Sequence, residues 1–291
     1  MKPVYFYYIV FNTKCYTEMN RVYEAKMEVE PLKIVQISDI HMFADEEKDL
    51  LGVKTQKSFV EIVNFVKQTA ETPNLILLTG DLSQDGLPKS YQEIGKLISE
   101  IGVPVYYVPG NHDDISNLDA NIATNKVSKE KNLVFKNWQL ILLNSKKPKS
   151  VEGYLAEDQI EFLQKCIRKH PNLNAGIVFY HQPIPVGCAW LDKLGVQNAD
   201  ELWGCIDTLP QVKLILFGHV HQKHEGVRKG VKYFSVPSTS IQFKTKSDDF
   251  ALENIPQGYR WIELYANGDI QTEVRRMQQY IGKFDPGAKG Y

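Results

Sequence analysis

Residues 34–41 read IVQISDIH and residues 75–81 read LILLTGD; in each, a short apolar run gives way within a few residues to a carboxylate or an imidazole. The pattern recurs along the chain. Val105–Val108 (VYYV) runs through Pro109 and Gly110 to Asn111 and His112, Ile177–Tyr180 (IVFY) ends on His181, and Leu214–Phe217 (LILF) passes Gly218 to reach His219 and His221. Between these strand-length runs lie helical patterns. Ser58–Lys67 sets Phe59, Ile62, Val63 and Val66 on one face, and Tyr91–Ile98 and Glu157–Ile167 (Ile160, Leu163, Ile167) repeat that spacing. Strands alternating with amphipathic helices predict an α/β fold. Strands apolar at nearly every position predict a sheet covered on both faces. Further strands are expected at Gln139–Leu143, Tyr233–Val236, Tyr259–Tyr265 and Ile270–Val274.

In open α/β sheets ligands bind beyond the carboxyl ends of the strands, so the polar residues that follow these runs are expected to converge. The pairs Asp39/His41 and His219/His221 are expected to lie on extended chain, where residues i and i+2 project to the same side. Gly80, Gly110 and Gly218 directly precede Asp81, Asn111 and His219, where a missing Cβ permits a sharp turn or a close approach. Each piece alone is weak, since a G-D dipeptide is usually an ordinary turn and a lone histidine usually a hydrogen-bonded core or surface residue. The ordered set, one member at each strand end, is what points to a metal site. Carboxylate, amide and imidazole donors without thiolate suit manganese, iron, zinc or cobalt, not copper(I) or an iron–sulfur cluster. Hydrolytic metal pairs lie about 3.5–4 Å apart. Such a pair needs a bridging carboxylate, and Asp81, between the two groups of ligands in chain order, is the candidate.

The 291 residues are enough for one α/β domain, and 43% hydrophobic with 24% charged is an ordinary globular balance. A net charge of −1 gives no basic surplus for tracking a phosphate backbone, so no nucleic-acid partner is expected. Cys15, Cys166, Cys188 and Cys205 form no C-x-x-C pair and are expected to be reduced thiols, which favours a reducing compartment. Val4–Phe11 (VYFYYIVF) is too short to span a bilayer and no small-residue cleavage site follows it. It is expected to be a short strand or a disordered tail, or to precede a true start at Met19 or Met27. The protein is expected in the cytoplasm, away from membranes. The tail from Gly282 (GKFDPGAKGY) is expected to be loosely ordered. The chain carries neither a G-x-S-x-G elbow nor a G-x-x-x-x-G-K-[ST] phosphate loop.

The series Asp39-x-His41, Gly80-Asp81, Gly110-Asn111-His112-Asp113, His181-x-Pro183 and Gly218-His219-x-His221 resembles the calcineurin-like metallophosphoesterase superfamily. Longer stretches resemble its bacterial 3′,5′-cyclic-AMP phosphodiesterase branch: LLGV (50–53), GDLSQD (80–85), GCAWLD (187–192), PSTSIQFK (237–244) and FDPGAKGY (284–291). The similarity covers about residues 31–291, expected to be a single domain whose segment from about residue 243 either caps the site or forms a subunit contact, as in a homodimer. Residues 1–30 are an extension of unknown role.

The resemblance implies a four-layer α/β/β/α sandwich of the metallo-dependent phosphatase type. It implies that Asp39, His41 and His221 hold one ion, that Asn111, His181 and His219 hold the other, and that Asp81 bridges them. His41, Asn111, His112, His219 and His221 are implied substrate contacts. Many relatives read H-H-P where this chain reads His181-Gln182-Pro183, so Gln182 is expected to tune the surroundings of a ligand that is kept. The implied reaction is hydrolysis of 3′,5′-cyclic AMP to 5′-AMP, by in-line attack of a hydroxide bridging two divalent cations. Iron or manganese is expected there, with zinc, cobalt or magnesium as alternatives. His112 is the candidate catalytic group, either contacting phosphate or protonating the departing 3′-oxygen; support of the ligands together with Asp113 is its other reading. Trp190, Phe243 and His224 lie in segments that can approach a purine. The alternatives are a broad phosphodiesterase, acting on 2′,3′-cyclic nucleotides or glycerophosphodiesters, and an inactive scaffold of the same fold, which should lack ligands that are all present here.

Overall fold

The computed structural model describes residues 30–290; the apolar run Val4–Phe11, Cys15 and the alternative starts at Met19 and Met27 lie outside them. The chain divides at Pro31, and the unit Leu32–Tyr291 is described here. Its elements run in the order β1 (Leu32–Ile37), α1 (Thr55–Lys67), β2 (Leu75–Thr79), α2 (Pro88–Ser99), β3 (Val105–Val108), α3 (Ile115–Asn121), β4 (Val127–Ser128), β5 (Asn132–Phe135) and β6 (Trp138–Leu142). Then follow α4 (Glu157–Lys169), β7 (Asn174–Val178), α5 (Ala189–Asp192), α6 (Ala199–Ile206), β8 (Val212–Leu216), β9 (Glu225–Arg228), β10 (Val231–Phe234), β11 (Gly258–Leu264) and β12 (Ile270–Arg276).

The strands form two six-stranded sheets, ordered β12-β11-β1-β2-β3-β4 and β5-β6-β7-β8-β10-β9. In the first, β1 to β4 are parallel and β11 and β12 antiparallel. In the second, β6, β7, β8 and β10 are parallel, with β5 and β9 antiparallel at the edges. The two-residue period of a strand explains why both faces are apolar. Leu75 and Leu77 of β2 pack between the sheets with Leu140, Leu214 and Leu216, while Ile76 and Leu78 face outward against Phe59 and Ile62 of α1 and Ile94 of α2. Ile177 and Ile215 face outward on the other side, against Leu163 and Ile167 of α4 and Leu202 of α6. Helices therefore cover the outer face of each sheet, giving the four layers.

α1 buries Phe59, Ile62, Val63 and Val66, the stripe its spacing predicts, and α2 opens with Pro88 in its first turn. α4 carries Glu157 and Asp158 at its start and Arg168 and Lys169 at its end, matching the helix dipole. One expectation needs correction. The tail beyond Gly282 has no regular structure but is tied down: Lys283 N–H donates to Gly52 O at 2.8 Å, and Phe284 and Ala288 pack on the outer core. Within the segment from Phe243, residues 258–276 form two strands of the first sheet, β11 and β12. Cys166, Cys188 and Cys205 are free thiols. Among the described residues no helix is long and apolar enough to cross a membrane.

Candidate metal centre

The ends of β1, β2 and β3 from one sheet and of β7 and β8 from the other meet at one edge of the sandwich. Within the first sheet, Asp39 N–H donates to Gly80 O (3.0 Å) and His41 N–H to Asp81 O (2.9 Å). Within the second, Gly218 N–H donates to Tyr180 O (2.9 Å). Across the sheets, Gln36 Nε2 donates to Phe217 O (3.0 Å) and the Tyr180 hydroxyl to Asp39 Oδ1 (2.8 Å).

Asp39, His41, Asp81, His219 and His221 all have left-handed backbone, with φ of 55°, 51°, 43°, 70° and 48°. The expectation that the D-x-H and H-x-H pairs lie on extended chain is thereby corrected. The strands have already ended, and tight turns aim these side chains. Non-glycine residues held in such conformations cost about 1–3 kcal/mol each and persist where the surroundings over-determine them, as at functional sites. Close approach also explains Gly110, where a Cβ would lie 2.2 Å from Asp81 Oδ1.

The hydrogen bonds behind the rings fix their tautomers. His41 Nδ1 lies 2.6 Å from Gln84 Oε1 and His221 Nδ1 lies 2.8 Å from Ile241 O; both oxygens only accept, so both Nδ1 atoms carry hydrogen. Burial, then the neighbouring His112 and His221, hold His41 well below the usual imidazole range. In their neutral form, the two rings point Nε2 lone pairs at one another across 3.2 Å. Asp39 Oδ1 lies 3.3 Å from His221 Nε2, and Asp81 Oδ2 3.8 Å from His41 Nε2. Lone pairs and carboxylates crowded in a buried site repel unless a cation lies among them.

Three further buried donor atoms, Asp39 Oδ2, Asn111 Oδ1 and His219 Nε2, have no hydrogen-bond partner among the described residues. Unpaired buried polar atoms are rare and costly, so this donor set fits metal ions. Groupings close enough to share an ion are Asp39, His41 and His221, and His41, Asp81 and His112. His181 is placed differently. Its ring is 4.9 Å from that of His219, but Nδ1 meets Ser145 Oγ (2.8 Å) and Nε2 meets Val151 O (3.1 Å). Both its nitrogens thus have protein partners, and it joins neither grouping. Burial pushes both His181 and His219 down to about 3.

His112 donates its backbone N–H to Asp81 Oδ1 (2.9 Å), and its side chain keeps 25% exposure while His41 and His221 keep none. It is the imidazole that opens to solvent. Asp113 is buried and accepts N–H bonds from Leu82, Ser83 and Gly110, locking the loops after β2 and β3 together. Burial and the neighbouring Asp81 push Asp113 up to about 6.

A cleft of about 540 Å³ opens over Asp81, Asn111, His112 and His219. Lys146, Lys149 and Ser150 form a polar wall, while Trp190, Phe243 and Phe250 form an apolar one. His224 is not part of it, because it stacks on Tyr233 behind the second sheet's edge. The sequence reading did not nominate Gln84, Ser145, Lys146, Phe250 or Tyr180. Gln84 sits inside GDLSQD and Tyr180 ends the apolar run Ile177–Tyr180, so both were open to detection; Ser145, Lys146 and Phe250 are brought in by turns that leave no periodic signal.

Residues 32–223 match the family described as calcineurin-like phosphoesterase. A 3′,5′-cyclic-nucleotide phosphodiesterase of Nostoc sp. (strain PCC 7120) is 38% identical over 85% of this chain and 93% of its own length. The 3′,5′-cyclic adenosine monophosphate phosphodiesterases CpdA of Vibrio vulnificus and Escherichia coli K12 are 37% and 33% identical, covering 88% and 89% of this chain and 93% and 95% of theirs. In three dimensions a dimetal phosphatase from Danio rerio superposes with a TM-score of 0.61 over 84% of this chain and 99% of its own, at 13% identity. The yellow lupin purple acid phosphatase does so at 0.56 and 12% identity, over 86% and 52%. On the match of most of its length and on these relatives, the chain belongs to the calcineurin-like phosphoesterase family.

Proposed function

We propose that the protein hydrolyses 3′,5′-cyclic nucleotides, 3′,5′-cyclic AMP first among them, to the 5′-monophosphate at a centre of two divalent cations. The observation that carries this reading is the pair of Nε2 lone pairs of His41 and His221 facing each other between Asp39 and Asp81. Asp39, His41 and His221 would hold one ion; Asn111, His219 and His181 the other, with Asp81 between them. His181 joins only if its Nε2 leaves the Val151 carbonyl. Iron or manganese suits this oxygen- and imidazole-rich set, with zinc, cobalt or magnesium as alternatives. When bound, such ions supply water acidified to near-neutral pKa and positive charge to offset that of the phosphate.

The chain's own groups complete the site. Lys146 donates Nζ to Asn111 O at 2.5 Å, which holds the Asn111 loop and sets a positive charge beside the cleft floor. His112, exposed to the cleft, is positioned to contact phosphate or give its proton to the departing 3′-oxygen. Trp190, Phe243 and Phe250 offer an apolar wall for a purine. The substrate assignment draws its support from the relatives' names, the metal assignment from the geometry.

Purified protein with added Mn²⁺ should convert 3′,5′-cyclic AMP to 5′-AMP, and chelation or Asp81→Ala should abolish the product. Cleavage of an aryl phosphodiester with cyclic AMP untouched would leave the metal centre standing and remove the substrate. Neither being cleaved by metal-loaded protein would return the inactive scaffold.

A further inference from the structure

Tyr180 ends the apolar run of β7 and belongs by burial to the core between the sheets. Its hydroxyl nevertheless reaches the centre. It donates to Asp39 Oδ1 at 2.8 Å, and the His219 backbone N–H donates to the same oxygen at 3.2 Å. The other carboxylate oxygen, Oδ2, is buried without a hydrogen-bond partner among the described residues. Asp39 Oδ1, which also lies 3.3 Å from His221 Nε2, is thus held by two donors from the second sheet, while its twin has no hydrogen-bond partner among the described residues. The ring has a definite seat as well. It meets the His181 ring edge-on at 4.8 Å and 76°, and the His219 ring at 5.0 Å and 69°. A glycine of the ligand motifs clears its space: a Cβ on Gly80 would lie 2.2 Å from Tyr180 Cδ2, whereas one on Gly218 would first meet Ser38 Oγ at 2.1 Å and Thr79 O at 2.4 Å. Gly80 thus makes room for an aromatic side chain as well as for a turn.

We infer that Tyr180 is a positioning residue of the centre: its hydroxyl holds Asp39 Oδ1 and so fixes the carboxylate beside the ion, linking the Asp39 site on the first sheet to the His219 loop on the second. A carboxylate gripped through one oxygen loses its rotation about χ2 and presents its oxygens to an ion in a fixed orientation. A purely space-filling tyrosine would need only its ring. This inference rests on the metal-centre reading and goes beyond it in assigning a residue outside the ligand motifs.

Tyr180→Phe keeps the ring and removes the hydroxyl. Metal-stripped wild type and variant are compared by circular dichroism and thermal melting, then titrated with Mn²⁺ by calorimetry. The variant should fold, and one of its two Mn²⁺ sites should weaken by about 10- to 100-fold, the usual reach of an outer-sphere partner, while the other is unchanged. Mn²⁺ affinities equal to wild type at both sites, equal weakening of both, or a variant that does not fold, would overturn the assignment. A wild type that binds no Mn²⁺ would instead overturn the metal-centre reading itself, and Tyr180's role with it.

Discussion

His112 differs from His41 and His221 in a respect that decides its chemistry: the cleft reaches it. His41 and His221 are sealed beneath, each with Nδ1 held by an acceptor, whereas His112 is anchored through its backbone N–H and leaves its ring at the floor of the opening. His112→Ala should therefore lower kcat by about 10²- to 10⁴-fold, the usual range for a general acid, while Mn²⁺ affinity falls far less. Steady-state kinetics beside a metal titration separates the two. Equal loss of metal binding would make His112 a ligand, as its 4.0 Å approach to Asp81 Oδ2 also permits. At this scale the residue types were legible in the sequence, because aspartate, asparagine and histidine at strand ends have few other reasons to cluster. Their backbone was not. A left-handed φ at His41 or His219 is imposed by bonds to Gly80, Asp81 and Tyr180 loops that lie far away in sequence, and no local pattern announces it.

Among the elements, the short helix α5 carries Trp190 into the cleft wall, and it is Gln182 that fastens it. Its carboxamide donates Nε2–H to Leu191 O at 2.6 Å, and its backbone carbonyl accepts from Val196 N–H at 2.9 Å. The residue that replaces a histidine of many relatives thus acts on the wall that faces the substrate. Gln182→Leu, similar in volume, removes a bond worth about 1 kcal/mol and should raise KM for cyclic AMP up to about fivefold with kcat nearly constant. An unchanged KM would mean that α5 holds its place without the amide. The long elements were readable because burial writes itself into spacing: α1 and β2 bury what their periods predict. β9 (EGVR) escaped because an edge strand alternates exposed residues and needs no apolar run, and α5 and α6 are too short to show helical periodicity. The expectation for β7 began at Ile177, although the strand begins at Asn174, because Ala175 and Gly176 look like loop yet pair with Val212 and Leu214.

For the whole molecule, a buried charge gives the stability a definite pH dependence. Lys131 sits 4.2 Å above the Tyr107 ring and donates Nζ–H to Tyr107 O at 2.6 Å. Burial holds it down to about 8, from a reference of 10.5. The folded state therefore binds this proton less tightly than the unfolded chain. The cost is borne in full below about pH 8 and relieved as pH rises toward 10.5, so this lysine's contribution to stability increases with pH across that window. Urea unfolding of wild type and Lys131→Met, at about pH 7 and about pH 9.5, should show wild type gaining on the variant at the higher pH. A gap that stays constant would mean that Lys131 titrates as an exposed lysine does. The pairing of β1 with β11 sets a further condition on the molecule. Leu32 aligns with Leu264, so the strand that leads into Asp39 and His41 acquires its antiparallel neighbour only from the last stretch of the chain. During synthesis, β1 leaves the ribosome well before β11 and waits, with one edge open, for every element between them to be translated. The nascent protein must either shelter that edge or delay docking β1, and in both cases the Asp39 loop takes up its final place among the last acts of folding. A chain released short of residue 258 would carry every donor of the centre and still lack the neighbouring strand that seats the first of them.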